Sequence, residues 1–257
     1  MRNEILNRCD LLAKNKEIIS KAFIWESDYM AIAAASIITS AGVLADKSNL
    51  TICNKILKKN TGWTSVFRGN SKITLIAKMA LSENPEEYLL KVMSIYELMK
   101  QNKLSGNEYR VMAAMAIADR VDISAAEDYI LRTKELYKRM SKEHAFLTSS
   151  EDIPFATLLA ISDKDIDLMV EDMERSYDII SRKFLDKNAV QSLTHILTLC
   201  NDSPEVKCKK VLDVYGGLKA SKHAFSSGYE LCVLGVTALS NLSAETLVNM
   251  ICDADDI

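Results

Sequence analysis

Apolar positions along the chain follow a two-beat pattern. A short run rich in alanine and large aliphatic residues is followed by a polar break. A longer stretch comes next, in which apolar residues recur every three or four positions with charged residues between them. The first beat predicts a buried helix and the second an amphipathic one. LIAKMALSENPEEYLLKVMSIYELM (75–99) is one copy of the pattern. VMAAMAIADRVDISAAEDYILRTKELYKRM (111–140), PFATLLAISDKDIDLMVEDMERSYDII (154–180) and QSLTHILTLCNDSPEVKCKKVLDVYGGL (191–218) are three more. Residues 29–59 read as a divergent first copy and 230–252 as a truncated last one. Tyr96, Tyr137, Tyr177 and Tyr215 hold equivalent places, 41, 40 and 38 residues apart.

A two-helix unit cannot hide its apolar face alone, whereas stacked neighbours can. A period of about 40 residues therefore points to helix-pair arrays. The expected fold is all-α: tandem helix pairs stacked as an α/α superhelix or solenoid-like array, forming one domain over 1–257. Residues 1–20 serve as an N-terminal capping helix, 21–252 carry the pairs, and 253–257 form an acidic tail. The breaks at 82–85, 162–165, 201–204 and 240–243 offer N-capping side chains, and two of them place Pro85 and Pro204 where a helix begins. The four tyrosines are expected to pack rather than to bind.

Composition agrees with helix. The chain has only 8 Gly and 3 Pro, against the turn-rich composition of a β-sandwich or a disordered chain. The net charge of −3 selects neither nucleic acid nor membrane as a partner. The six cysteines lack C-x-x-C spacing and read as reduced thiols, so the expected location is cytoplasmic. The N-terminus lacks the apolar core of a signal peptide. YMAIAAASIITSAGVLA (29–45) carries no charge, but it is short and Ala-rich for a membrane span, and a helix buried on all sides explains it better.

Charge is uneven locally. Lys47 to Ser82 holds seven bases and no acid, whereas Glu151 to Asp178 holds nine acids and two bases. Two solvated faces account for this, and an anion-binding surface is the sharper alternative. Within the basic stretch, NTGWTSVFRGNSK (60–72) contains Trp63, Arg68, Gly69 and Asn70. An Arg fork and a nearby glycine suit a carboxylate or phosphate, although Arg68 would serve equally to pair with a neighbouring acid. No phosphate-binding loop or RNA-binding signature accompanies them.

A second polar segment, HAFLTSSEDIPFA (144–156), interrupts the helical pattern. Thr148-Ser149-Ser150-Glu151 fits a capping box ahead of Pro154. That leaves His144 and the adjacent Glu151 and Asp152 unexplained. In AVQSLTHIL (189–197), Gln191 and His195 fall four apart on one helix face. A histidine beside carboxylates can act as a general acid–base pair or bind a metal. Recognised zinc and nucleophile motifs are missing, which favours a hydrogen-bonded structural network.

Together, FIWESDYM (23–30), TGWTSVFRGN (61–70), EHAFLTSSEDIPFATLLAISDKD (143–165) and AVQSLTHIL (189–197) resemble a bacterial family catalogued as domain of unknown function 4003. The resemblance spans roughly 18 to 252. It implies a cytoplasmic helical chain and a site built from the regions of Trp25–Glu26, Arg68–Asn70, His144–Asp152 and Gln191–His195. The family pattern places a proline where this chain has Ala145.

Three functions follow as expectations. The first is a scaffold that binds a protein, peptide or small anionic ligand through Trp25, Glu26, Trp63, Arg68, Asn70, Ser149, Ser150 and Gln191. The second is an enzyme of unknown class, hydrolytic or metal-dependent, using His144, Glu151, Asp152 and His195. The third, nucleic-acid binding through the basic 47–78 segment, has the least support. The cofactor, if any, is unknown from the sequence.

Overall fold

In a computed structural model of the protein, residues 2–104, 108–143, 147–223 and 228–256 are described. Among them the fold is all-α, with thirteen helices. The chain divides into two compact units, Met1–Glu127 and Asp128–Ile257.

The first unit opens with α1 (Arg2–Ala22), α2 (Asp28–Ser40) and α3 (Lys47–Asn60), followed by α4 (Lys72–Leu81), α5 (Pro85–Gln101) and α6 (Glu108–Arg120). The short helices α2 and α4 pack on each other, as do the longer α3 and α5, so the pairs form two layers. The core between the layers includes Ile38, Leu50, Leu57, Leu75, Ile76, Met79, Leu89, Ile95 and Met99. At the start of the unit, Asn15 of α1 is buried. Its amide donates to Thr39 Oγ1 and the Val43 carbonyl, and its Oδ1 accepts from the Ala45 amide, fixing the turn after α2.

The uncharged 29–45 stretch is not a helix buried on all sides. Its helix ends at Ser40 and buries one face (Ala31, Ala34, Ala35, Ile38), while Tyr29, Ile32, Val43 and Leu44 are exposed. The small residues serve close packing on one side, which leaves the larger ones outside. Among the described residues no helix is long and apolar enough to cross a membrane.

The second unit contains α7 (Ala126–Glu143) from Asp128 onward, α8 (Ile153–Ile161), α9 (Ile166–Ile180), α10 (Lys187–Leu199), α11 (Pro204–Ala220), α12 (Tyr229–Gly235) and α13 (Ala244–Asp255). The short helices again pack together (α8 on α10, α10 on α12), and so do the long ones (α9 on α11, α11 on α13). One cluster joins Leu136 and Met140 to Leu159, Met169 and Met173. Another joins Ile180, Val190, Leu193, Leu197, Val211, Val214 and Leu231.

The polar breaks act as helix starts. Asn84, Asp165, Ser203 and Ser243 each accept an amide from the first turn of the following helix, and Pro85 and Pro204 stand at helix starts. The tyrosines pack. Tyr96 lies edge-on to Phe67, with ring centroids 5.0 Å apart, and the Arg110 guanidinium lies over its ring. Tyr215 meets Phe184 at 4.9 Å, and Tyr137 and Tyr177 rest against the two clusters of the second unit.

A recurring device holds the ends of the helices. The last carbonyls of a helix have no partner within it and carry the negative end of its dipole, so a cation placed there stabilises them. Lys91 of α5 donates to the Ala118 carbonyl of α6 (2.8 Å). Arg132 of α7 donates to the carbonyls of Ala160 and Lys164 after α8, and Lys210 of α11 donates to that of Ser240. Lys164 takes the end of α10, donating to the Thr198, Leu199 and Cys200 carbonyls at 2.8–3.1 Å. Burial, and then the nearby Lys207 ammonium, holds the Lys164 ammonium below the usual lysine range.

Candidate functional site

In the first unit, Trp25, Glu26, Trp63, Arg68 and Asn70 lie on the links between α1 and α2 and between α3 and α4. Glu26 forms a half-buried ion pair with Lys72, whose ammonium also lies 5.8 Å from the Phe23 ring centroid, so the two links are tied together. Among the described residues Arg68 pairs with no acid. Its Nε donates to Thr61 Oγ1 (3.0 Å), and Nη2 donates to the carbonyls of Lys58 (2.6 Å) and Thr61 (2.5 Å). It therefore closes the C-terminal end of α3. Asn70 Nδ2 donates to Glu108 Oε1 at 3.2 Å.

The tryptophans stand outside this network, with Trp25 93% and Trp63 89% exposed. Ile24 (71%) and Tyr29 (74%) are exposed beside Trp25 in the chain. Tryptophan is highly buried on average in folded proteins, so two such indoles on tethered links are an informative exception.

The second unit brings Asp152 and His195 together. Asp152, 5% exposed, is held where a 3-10 turn (150–152) meets α8, and His195, 2% exposed, faces it from the middle of α10. His195 Nδ1 lies 3.6 Å from Asp152 Oδ1. The His195 ring also leans against Phe155, with centroids 5.5 Å apart. Gln191, one turn earlier on the same face, donates from Nε2 to Thr148 Oγ1 (3.0 Å), and Thr148 Oγ1 donates to the Met140 carbonyl (3.1 Å).

The capping box is present one position later than the sequence suggested. Its members are Ser149 and Asp152, not Thr148 and Glu151. Asp152 Oδ2 accepts the Ser149 amide at 2.8 Å, and Ser149 Oγ accepts that of Glu151. The shift leaves Thr148 free to receive Gln191 and places Glu151 in solvent. Ser150 opens the 3-10 turn and Ser149 is exposed. His144 lies outside the described residues.

Burial pushes the Asp152 carboxyl up to about 6, with the Ser149 amide opposing and the Glu151 charge adding slightly. The neighbouring cavity, bordered by Gln191, Thr194 and His195, measures about 10 Å³. That is about enough room for one water. At 3.6 Å the pair is beyond direct hydrogen-bond distance, and both side chains are buried. Among the described residues, no group of three or more His, Cys, Asp or Glu side chains is arranged to hold a metal.

The Asp152 shift sets a pH dependence with a definite sign. The folded-state value lies above the ordinary 3.8, so between about pH 4 and 6 the folded protein keeps a proton that the unfolded chain releases. The contribution is fully present below pH 4 and is lost as pH rises through 6. Two units correspond to about 3 kcal/mol. Relative to Asp152→Asn, the wild type is expected to lose stability across this window by roughly 1–3 kcal/mol in urea melts. If the wild type instead gains over the variant as pH rises, Asp152 is ionised and paired with His195.

One polar cluster escapes the sequence reading. Lys207 of α11 is fully buried, and its ammonium meets both oxygens of Asp172 on α9 at 2.5 and 2.6 Å. Thr198 of α10 also donates to Asp172 Oδ1, at 3.2 Å. The signal was a lysine in register with the apolar stripe Val211, Val214 and Leu218, matched by an aspartate one residue before Met173 on the preceding long helix. The arrangement fastens three helices. Adjacent Cys208 is pushed up to about 11 by burial, which suits an inert thiol.

These segments coincide with a family model described as Protein of unknown function (DUF4003), which matches residues 15–254. The chain belongs to that family. No curated protein and no solved structure matches it. Membership spans both units, so the tethered tryptophan links and the Asp152–His195 pair both lie within what the DUF4003 model matches.

Proposed function

We propose that the chain is a helical-array scaffold that docks a protein or peptide through Trp25 and Trp63. The observation that carries this reading is their exposure, 93% and 89%, on links fixed by Glu26–Lys72 and by the Arg68 cap on α3. Tryptophans held in this way present large apolar area at low cost in side-chain ordering, and tryptophan is prominent among residues that dominate binding. A small anionic ligand is less well supported, because Arg68 is spent on carbonyls and Lys72 on Glu26. The enzyme reading has less support, because Asp152 and His195 are both buried and the cavity beside His195 measures about 10 Å³. A bacterial cytoplasmic setting belongs to the same proposal and is supported by six free cysteines.

The chain contains only these two tryptophans, so its indole fluorescence reports on the proposed surface alone. Free protein is expected to show the red-shifted emission of hydrated indole and near-complete quenching by acrylamide. A docked partner should shift the emission to the blue and shield it. Blue, poorly quenched emission from the free protein would contradict the exposed geometry.

A further inference from the structure

A second surface of the first unit has a different character. Glu87, Leu90, Lys91 and Ser94 fall on one face of α5, and the 3-10 turn at 123–125 runs beside them. Between them lies an open cleft of about 540 Å³. Its apolar part is formed by Leu90 (48% exposed) and Ile123 (46%), two aliphatic side chains left outside the core.

The described lining carries two carboxylates, Glu87 and Asp122, and one ammonium, Lys91. Asp122 stands at the N-cap position of the turn, yet its side chain makes no capping hydrogen bond. Glu87 accepts the Asn84 side-chain amide at 3.2 Å and otherwise faces solvent. Lys91, the cation among the described lining residues, is drawn down to the Ala118 carbonyl and closes the end of α6. The cleft thus offers two carboxylates above an aliphatic floor.

We propose that this cleft binds a lysine- or arginine-bearing segment of a partner polypeptide. The aliphatic stem of the basic side chain lies over Leu90 and Ile123, and its cation sits between Glu87 and Asp122. Lysine and arginine have the required composition, apolar along the stem and charged at the tip. The hydroxyls of Ser94 and Ser124 border the same cleft and can hydrogen-bond the segment's backbone. An acidic segment would meet two like charges. The proposal stands on different residues from the tryptophan surface and does not depend on it.

The test is fluorescence anisotropy with a labelled Ala-Leu-Lys-Leu-Ala peptide, its arginine version, and a version with norleucine at the centre. The full-length protein is used as wild type, Glu87→Gln, Asp122→Asn and Asp178→Asn. All three substituted positions are exposed, and circular dichroism verifies folding. The lysine and arginine peptides are expected to bind wild type at least about tenfold more tightly than the norleucine peptide. Glu87→Gln and Asp122→Asn should each weaken binding several-fold, and Asp178→Asn, on the second unit, should leave it unchanged. Equal binding of lysine and norleucine peptides, indifference to both cleft variants, or no binding at millimolar peptide would overturn the proposal. Competition by free cadaverine as effective as that by unlabelled peptide would also overturn it, replacing a polypeptide segment with a small diamine as the ligand.

Discussion

Replacing Asp172 by alanine is expected to lower stability by about 3–5 kcal/mol, the usual cost of leaving a buried charge without its partner. The ammonium of Lys207 is fully buried and meets both Asp172 oxygens, so removing the carboxylate strands a cation between α9 and α11. Thermal unfolding of the second unit should fall by roughly 10 °C. Lys207→Met should cost far less, because methionine fills much of the same space and Asp172 keeps the Thr198 hydroxyl and some access to solvent. Combining Lys207→Met with Asp172→Leu should recover most of the loss, since a buried ion pair can often be exchanged for apolar packing at little net cost. If Asp172→Ala costs less than about 1 kcal/mol in a denaturant titration, the pair does not fasten the helices as described.

The second large effect concerns binding rather than stability. Trp25→Ala and Trp63→Ala remove side chains that contact mostly water, so the double variant should melt within about 0.5 kcal/mol of wild type. Partner affinity should fall by about 2 kcal/mol or more per tryptophan if these are the anchors, roughly thirtyfold each. This separation of effects distinguishes a docking surface from a structural one. A double variant that unfolds would show that the indoles pack, against their exposure. A control in the buried pair, His195→Gln, should behave in the opposite way, altering stability while leaving docking intact.

The fold was largely legible because helix pairing is written locally. The spacing of apolar residues marks each amphipathic face, and Asn84, Asp165, Ser203 and Ser243 mark helix starts within a few residues of those faces. The capping box was displaced by one residue because Thr148 and Ser149 are both competent caps. The choice rests on Gln191, 43 residues away, which takes the Thr148 hydroxyl. The partners of Arg68 were hidden for a similar reason. An arginine near glycine and asparagine suits an anion, but here the open carbonyl end of α3 lies within its reach. Segment 29–45 looked like an all-round buried helix because alanine is compatible with both close packing and partial exposure. The Asp172–Lys207 pair links positions 35 residues apart, and nothing local says which charge on one stripe meets which on the next.

Of the expected group His144, Glu151, Asp152, Gln191 and His195, the buried members are Asp152, Gln191 and His195, and polar residues on a buried face must find partners. What the sequence did not disclose was accessibility. The same residues would serve catalysis in an open cleft and stability in a closed one, and Asp152 and His195 are 5% and 2% exposed.

The docking role is tested most directly by affinity capture from extract of the source cells, using tagged wild type and the Trp25→Ala/Trp63→Ala variant at equal loading. The role predicts proteins retained by wild type and depleted at least about tenfold on the variant, with indole emission shielded when the retained partner is added back. Equal retention by both, including none by either, would contradict it.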